Sequence, residues 1–327
     1  MERAHTGHQA CWRISGGRRL TPAPFLVAGI VNITPDSFSD GGRYVSPDAA
    51  LTRVRRIVAE GADMADLGAE STRPGADDIG HGEEWRRLEP VLTGTLALRS
   101  ALVRQASPSP AAPSRPPFAV SIDTFRAETA ARALAPGKTR AEAGADIIND
   151  VSGGTFDPAM ADVLAEFTPG YVLGHSPALP GVMQKAPRYG DVVDELMHWF
   201  STRLNVLIKA GLPEECICLD PCVGFGKNLE HNLAVCAAAP RFAALGRPLY
   251  YGISRKTFLG ALLGTHFPQP PPQDDRNPAS PSGHPRDSAT QIAVALLARD
   301  GVAIHRVHQV ADTVATLKIV QGMGMQG

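Results

Sequence analysis

Short apolar runs alternate with longer amphipathic stretches along most of the chain. The run FLVAGIVNI (25–33) is followed by SPDAALTRVRRIVAEGA (46–62), where Ala50, Leu51, Val54, Ile57 and Val58 recur at helical spacing. Ser46 stands where an N-cap is needed and Pro47 suits the first helical position. DMADLG (63–68) reads as a second strand and EEWRRLEPVLTGTLALRSALV (83–103) as its helix. FAVSIDT (118–124) with RAETAARAL (126–134), ADIINDVS (145–152) with a helix near 158–167, and GYVLGH (170–175) with a long helix near 189–210 continue the rhythm. CICLD (216–220), PLYYGIS (248–254) and VAIHRV (302–307) supply strands six to eight, each with a helical segment after it. Strict strand–helix alternation predicts a parallel sheet. Eight units match the α/β fold class in its (β/α)8 TIM barrel form. An open doubly wound sheet is the other architecture of this pattern, but the Gly-x-Gly-x-x-Gly turn of a dinucleotide-binding version is missing after the first strand.

Two stretches break the alternation. Residues 106–117 (ASPSPAAPSRPP) and 266–285 (HFPQPPPQDDRNPASPSGHP) are too rich in Pro and Ser for helix or strand interiors. They read as disordered Pro-rich inserts in loops, because the alternation resumes after each; PGKTRAE (136–142) is a smaller irregularity. The domain organisation expected is a flexible leader over 1–24 and one barrel over 25–322. Composition changes this little. With 327 residues, 43% of them hydrophobic, the chain can bury one large core. A net charge of −1 offers no field to gather nucleic acid, and no apolar run is long enough for a membrane span. The odd count of five cysteines, at 11, 216, 218, 222 and 236, argues against a disulfide framework and for a reducing, cytoplasmic setting. Cys216, Cys218 and Cys222 sit in or beside an apolar strand, where small buried thiols are common; a metal site recruiting His231 is the other reading.

The chemistry is positional. Polar residues end strand after strand: Asn32, then Glu70 to Arg73, Asp123, Asn149 and Asp150, His175, Asp220, then Ser254, Arg255 and Lys256, and lastly Arg306 and His308. A barrel gathers all these ends at one mouth, where its active site lies. Asp123, Asn149 and Asp220 offer carboxylate and amide groups for a flat heterocycle with several N–H donors, such as a 2-amino-4-oxo pterin or a guanine. Arg73, Arg255, Lys256, Arg306 and His308 offer donors to an anion such as a phosphate or pyrophosphate. No nucleophile elbow and no His-Glu-x-x-His motif compete with this reading. His175 reads as a packed histidine and His231 as a helix-opening one.

Seven segments in order resemble the dihydropteroate synthase family of pterin-binding enzymes. They are GIVNITPDSFSDGG (29–42), DLGAESTRPGA (66–76), SIDT (121–124), ADIINDVSGG (145–154), LDPCVGFGKNLEHN (219–232), GISRKTFLG (252–260) and IHRVH (304–308). The resemblance implies a transferase of folate biosynthesis. Its reaction joins 7,8-dihydropterin-6-ylmethyl diphosphate to p-aminobenzoate, giving 7,8-dihydropteroate and pyrophosphate by an SN1-like displacement. It implies that Asp123, Asn149, Asp220 and Lys256 hold the pterin, with Asp123 and Lys256 as catalytic groups. Asn32 would ligate a Mg²⁺ bound to the diphosphate, and Arg306 and His308 would grip phosphate oxygens. Thr72, Arg73, Pro74, Phe225 and Thr257 would shape the p-aminobenzoate pocket, and the 34–42 loop would close over it. A homodimer packed through barrel helices also follows, with neither nucleic acid nor membrane as partner. Gly174 and Cys222 depart from the family pattern, which has Met and Gly at these places. Two alternatives stand beside the synthase: a methyltetrahydrofolate-binding methyltransferase-like barrel, which shares the Asp/Asn set, and a non-catalytic synthase paralogue, which these departures motivate.

Overall fold

A computed structural model describes residues 11–34, 46–71, 76, 78–105, 118–135, 144–184, 187–264 and 285–324. A hairpin of β1 (Trp12–Arg13) and β2 (Arg19–Leu20) precedes eight parallel strands. These are β3 (Leu26–Asn32), β4 (Met64–Gly68), β5 (Ala119–Asp123), β6 (Ile147–Asp150), β7 (Gly170–Gly174), β8 (Ile217–Asp220), β9 (Tyr250–Tyr251) and β10 (Ile304–Val307). Their order is β8-β7-β6-β5-β4-β3-β10-β9, and a parallel bridge between Leu219 and Leu249 joins the two ends into a barrel. The helices are α1 (Pro47–Glu60), α2 (Gly80–Gln105), α3 (Ala127–Leu134), α4 (Met160–Phe167), α5 (Val192–Ala210), α6 (Leu229–Ala237), α7 (Ala239–Ala243), α8 (Thr257–Leu263), α9 (Pro285–Arg299) and α10 (Val310–Gly322). The predicted (β/α)8 architecture is therefore present. Both Pro-rich inserts, most of the 34–42 loop and the 136–142 irregularity lie outside the described residues, apart from Pro285, which opens α9.

The period-2 side-chain alternation of each strand sorts the core into two bodies. Val27, Val31, Leu67, Val120, Ile122, Ile148, Leu173, Ile217 and Leu219 pack outward under the helices, with Ala50, Val54 and Ile57 of α1 among their partners. Leu26, Ala28, Met64, Ala119, Ile147, Val172, Cys218, Tyr250 and Ile304 form a second, interior cluster at the N-terminal ends of the strands. Small residues at 28, 119 and 218 leave room there for Trp12, Ile14 and Leu20 of the hairpin.

Two local expectations change. Residues 11–24 are not a loose leader: Trp12 is fully buried and its Nε1 donates to Cys216 O at 2.7 Å, while Ser15 N donates to Asp146 O at 3.2 Å. The hairpin stoppers the barrel floor, because strands that begin with apolar interior side chains need a lid against water. Ser46 forms no side-chain cap; its backbone carbonyl accepts from Ala49 N at 3.1 Å instead.

Candidate active site at the barrel mouth

Going up the inward phase of each strand, the interior changes from apolar to polar. Asp66 and Ser121 stand one step above Met64 and Ala119, and Asp123, Asn149, Asp220 and Arg306 stand at the top. Arg306 ties this tier together. Its Nε donates to Asp66 Oδ2 and its Nη2 to Asp123 Oδ2, both at 2.6 Å. Asn149 Nδ2 donates to Asp66 Oδ2 at 3.1 Å, and Ser121 Oγ to Asp66 Oδ1 at 2.6 Å. The resemblance put Arg306 on phosphate oxygens; here its guanidinium lies between two carboxylates. Asn32 falls on the same inward phase at the end of β3 and is half-buried.

The opposite wall is built after β8. Asp220 Oδ1 accepts Cys222 N at 2.7 Å. Lys256 Nζ lies 4.1 Å above the Phe225 ring, a cation–π contact. The Lys256 stem passes so close to Gly224, at φ +86°, that a Cβ there would lie 3.0 Å from its Cδ. Phe225 also packs with Phe125, Val151, Cys222 and Phe156, which places an apolar face beside the polar tier. A flat heterocycle needs both: donors and acceptors at its edge, carbon above its plane.

Other expected members take different places. Ser254 Oγ lies 2.9 Å from His308 Nδ1, so the two remain paired at the rim. Thr257 opens α8 and is exposed. Thr72, Arg73 and Pro74 lie outside the described residues. Arg255 makes a two-pronged ion pair with Asp287 of α9, at 2.7 and 3.1 Å. Asp150 faces outward by strand parity and accepts from Ser152, Gly154 and Tyr171. His175 is packed edge-on to Trp199 at 4.8 Å. His231 opens α6 in a capping box with Asn228.

Three participants escape the strand-end reading. Asp66 and Ser121 lie two residues before a strand end, and strand parity alone would have placed them beneath Gly68 and Asp123. Lys227 carries no such signal. It is buried, and its Nζ touches His175 Nδ1 (3.2 Å), Cys222 O (3.3 Å) and Phe225 O (3.0 Å), fastening the Phe225 loop to the end of β7.

Burial sets the electrostatics. It pushes the Asp123 carboxyl up to about 7, against the pull of Arg306 and with help from nearby Asp66. It raises Asp220 to about 6, opposed by the Cys222 N–H and by Lys256. It lowers Lys256 to about 8. Both carboxyls thus bind protons in the folded chain at pH values where the unfolded chain has lost them. The stability they contribute is fully present below the ordinary carboxylate range and is lost as pH rises through 6 and then 7. Ligand binding has the opposite sign, since an ionised carboxylate accepts N–H donors more strongly than a protonated carboxyl does. Affinity for a neutral pterin, measured by calorimetry, should therefore rise between about pH 5.5 and pH 7.5. A flat profile would separate these carboxyls from the ligand.

The chain matches the family model described as "Pterin binding enzyme" over residues 28–308. It is 38% identical over 302 residues to the dihydropteroate synthase of Mycobacterium leprae (strain TN), covering 92% of this chain and 94% of that protein. Among solved structures, the Xanthomonas albilineans dihydropteroate synthase with 4-aminobenzoic acid superposes with a TM-score of 0.76 at 34% identity, covering 97% of this chain and 98% of that one. The Xanthomonas albilineans enzyme in complex with 7,8-dihydropteroate gives 0.72 at 32% identity, over 95% and 97%. The chain belongs to the dihydropteroate synthase family. It is accordingly a transferase.

The two departures from the dihydropteroate synthase pattern are neighbours. A Cβ on Gly174 would lie 2.6 Å from Asp150 O and 2.9 Å from Cys222 Sγ. Glycine is thus required by the approach of the β6 end and by the thiol. Cys222 itself sits at φ +52°, a left-handed conformation that costs a β-carbon-bearing residue about 1 kcal/mol or more. Cys222 meets the polar tier only through its backbone N–H, which donates to Asp220 Oδ1 and does not depend on the side chain.

Proposed function

We propose that this chain condenses 7,8-dihydropterin-6-ylmethyl diphosphate with p-aminobenzoate at the mouth of β3–β10. One observation carries the assignment of roles: Asp123, Asn149, Asp220 and Lys256 converge beside the Phe225 face. Asp123, Asn149 and Asp220 accept the N–H edge of the pterin, and Lys256 donates to its acceptor side. The aniline is a weak nucleophile, so the C–O bond to the diphosphate breaks first. Ionised Asp123 stabilises the pterin cation while Arg306 and His308 draw on the departing oxygens. Phe225 and Thr257 contribute to the p-aminobenzoate pocket, to which the resemblance also assigns Thr72, Arg73 and Pro74 outside the described residues.

A Mg²⁺ fits this donor set. Asn32 offers a neutral amide oxygen at the strand end, suited to a hard cation that uses few protein ligands and keeps several waters. Bound with the diphosphate, it would neutralise leaving-group charge. We further propose a cytoplasmic homodimer. Leu262, Ile292, Leu296 and Ile319 expose apolar surface on α8, α9 and α10, and Met323 at the C-cap of α10, which a second copy would cover. Among the described residues no helix is long and apolar enough to cross a membrane.

The test is pyrophosphate release from the pterin diphosphate and p-aminobenzoate with Mg²⁺. Release dependent on both substrates is expected, with weaker pterin diphosphate binding after chelation. Pterin binding without turnover would make the chain a non-catalytic paralogue. Metal-independent binding would favour the methyltransferase-like alternative.

A further inference from the structure

We propose that Asp66 is a positioning residue for the pterin pocket: it turns Asn149 toward the ligand and keeps Arg306 in the site when the ligand engages Asp123. It opens the segment DLGAESTRPGA (66–76) but carries none of the roles that the resemblance implies. It is fully buried, one tier below the mouth, and accepts from three donors on three different strands: Ser121 Oγ on β5, Asn149 Nδ2 on β6 and Arg306 Nε on β10. A fully buried carboxylate is costly, and the tier beneath spans the same gap with Met64, Ala119 and Ile147. A strut between strands would need no charge.

The geometry supplies what the charge does. Asn149 gives its Nδ2 to Asp66, which fixes the amide flip and directs its carbonyl oxygen away from Asp66, as an acceptor for an N–H edge. Arg306 divides its donors between Asp66 and Asp123. A heterocycle that draws on Asp123 competes with Arg306 Nη2, while the Nε bond to Asp66 keeps the guanidinium at the mouth. Gly68 makes this possible. It stands directly above Asp66 on β4, and a Cβ there would already lie 3.4 Å from the Asp123 carboxylate. Without Asp66, Arg306 would pair with Asp123 alone and hold it against the ligand.

The inference rests on Asp123 and Asn149 being pterin ligands, so Asp66→Asn and Asp123→Asn are assayed in parallel. Loss of a charged hydrogen-bond partner should raise the KM for the pterin diphosphate about tenfold or more in Asp66→Asn, while that for p-aminobenzoate moves less than about threefold. The pH profile of neutral-pterin affinity adds a readout that a strut would not move. Asp123 is faced by Arg306 of β10, Asp66 of β4, Glu84 of α2, Asp150 of β6, Tyr250 of β9 and Lys256 after β9. Removing the Asp66 charge takes away one repulsion, so the acid limb should shift to lower pH. Unchanged pterin KM, or a lower melting temperature with the limb unmoved, would overturn the positioning role. If Asp123→Asn also left the pterin KM untouched, the reading of the pocket itself would fall. Should Asp66→Asn not fold, Ser121→Ala removes one anchor and keeps the charge. A rise of about threefold in pterin KM supports the role, and no rise overturns it.

Discussion

Asp123→Asn is expected to lower turnover by about 10²–10³-fold, the usual effect of removing one preorganised charge partner from a transition state. The substitution keeps the size of the side chain and an oxygen that can still accept from Arg306 Nη2, now 2.6 Å away. It deletes the negative charge that opposes the pterin cation. The fold should survive, since burial already pushes this carboxyl toward its neutral form. Melting temperature near pH 8 is expected to be equal or higher in the variant. Steady-state assays at saturating substrates, with thermal unfolding of the same preparations, make the check. Near wild-type turnover in a folded variant would remove Asp123 from the chemistry.

Trp12→Ala has the largest expected effect on stability. The indole is fully buried against the interior ends of the strands, in one cluster with Met64, Ile147, Tyr250 and Ile304. Large-to-small changes at such sites cost about 3–5 kcal/mol through lost transfer energy and the cavity left behind. The Cys216 carbonyl also loses the donor now 2.7 Å away, adding about 1 kcal/mol. At ~2 °C per kcal/mol for a chain of this size, the melting temperature should fall by roughly 8–12 °C. Catalytic constants below the transition should change little, because the hairpin lies at the end of the barrel opposite the mouth. A melting temperature within a degree or two of wild type would mean that the hairpin is a passenger.

Most of the barrel was legible in the chain. Buried parallel strands read as dense apolar runs, and their helices carry an apolar stripe at a different period, so each unit announces itself locally. The strand ends were legible for the same reason, and Asp123, Asn149, Asp220, Arg306 and Lys256 follow from them. The hairpin was not. Trp12, Ile14 and Leu20 show no periodicity of their own, and their partners are residues 26 to 304 of the barrel. Lys227 was equally silent, because a lysine in a glycine-rich loop looks solvated until its carbonyl partners are in place. Arg255 had an equally hidden partner. Its cation pairs with Asp287, across a Pro-rich stretch from it.

The order of strands and helices, the mouth at which they end and the family reaction are properties of the sequence, because they depend on local period and on contiguous motifs. Which polar groups face one another was decided only by the tertiary structure. The pairing of Arg306 with Asp66 and Asp123 joins residues 240 and 183 positions apart, and its existence depends on how β10 closes against β3 and β4. The contact between Gly174 and Cys222 is of the same kind. Side-chain direction at a strand end is local, but the partner it meets is set by barrel closure, and no short window of sequence carries that information.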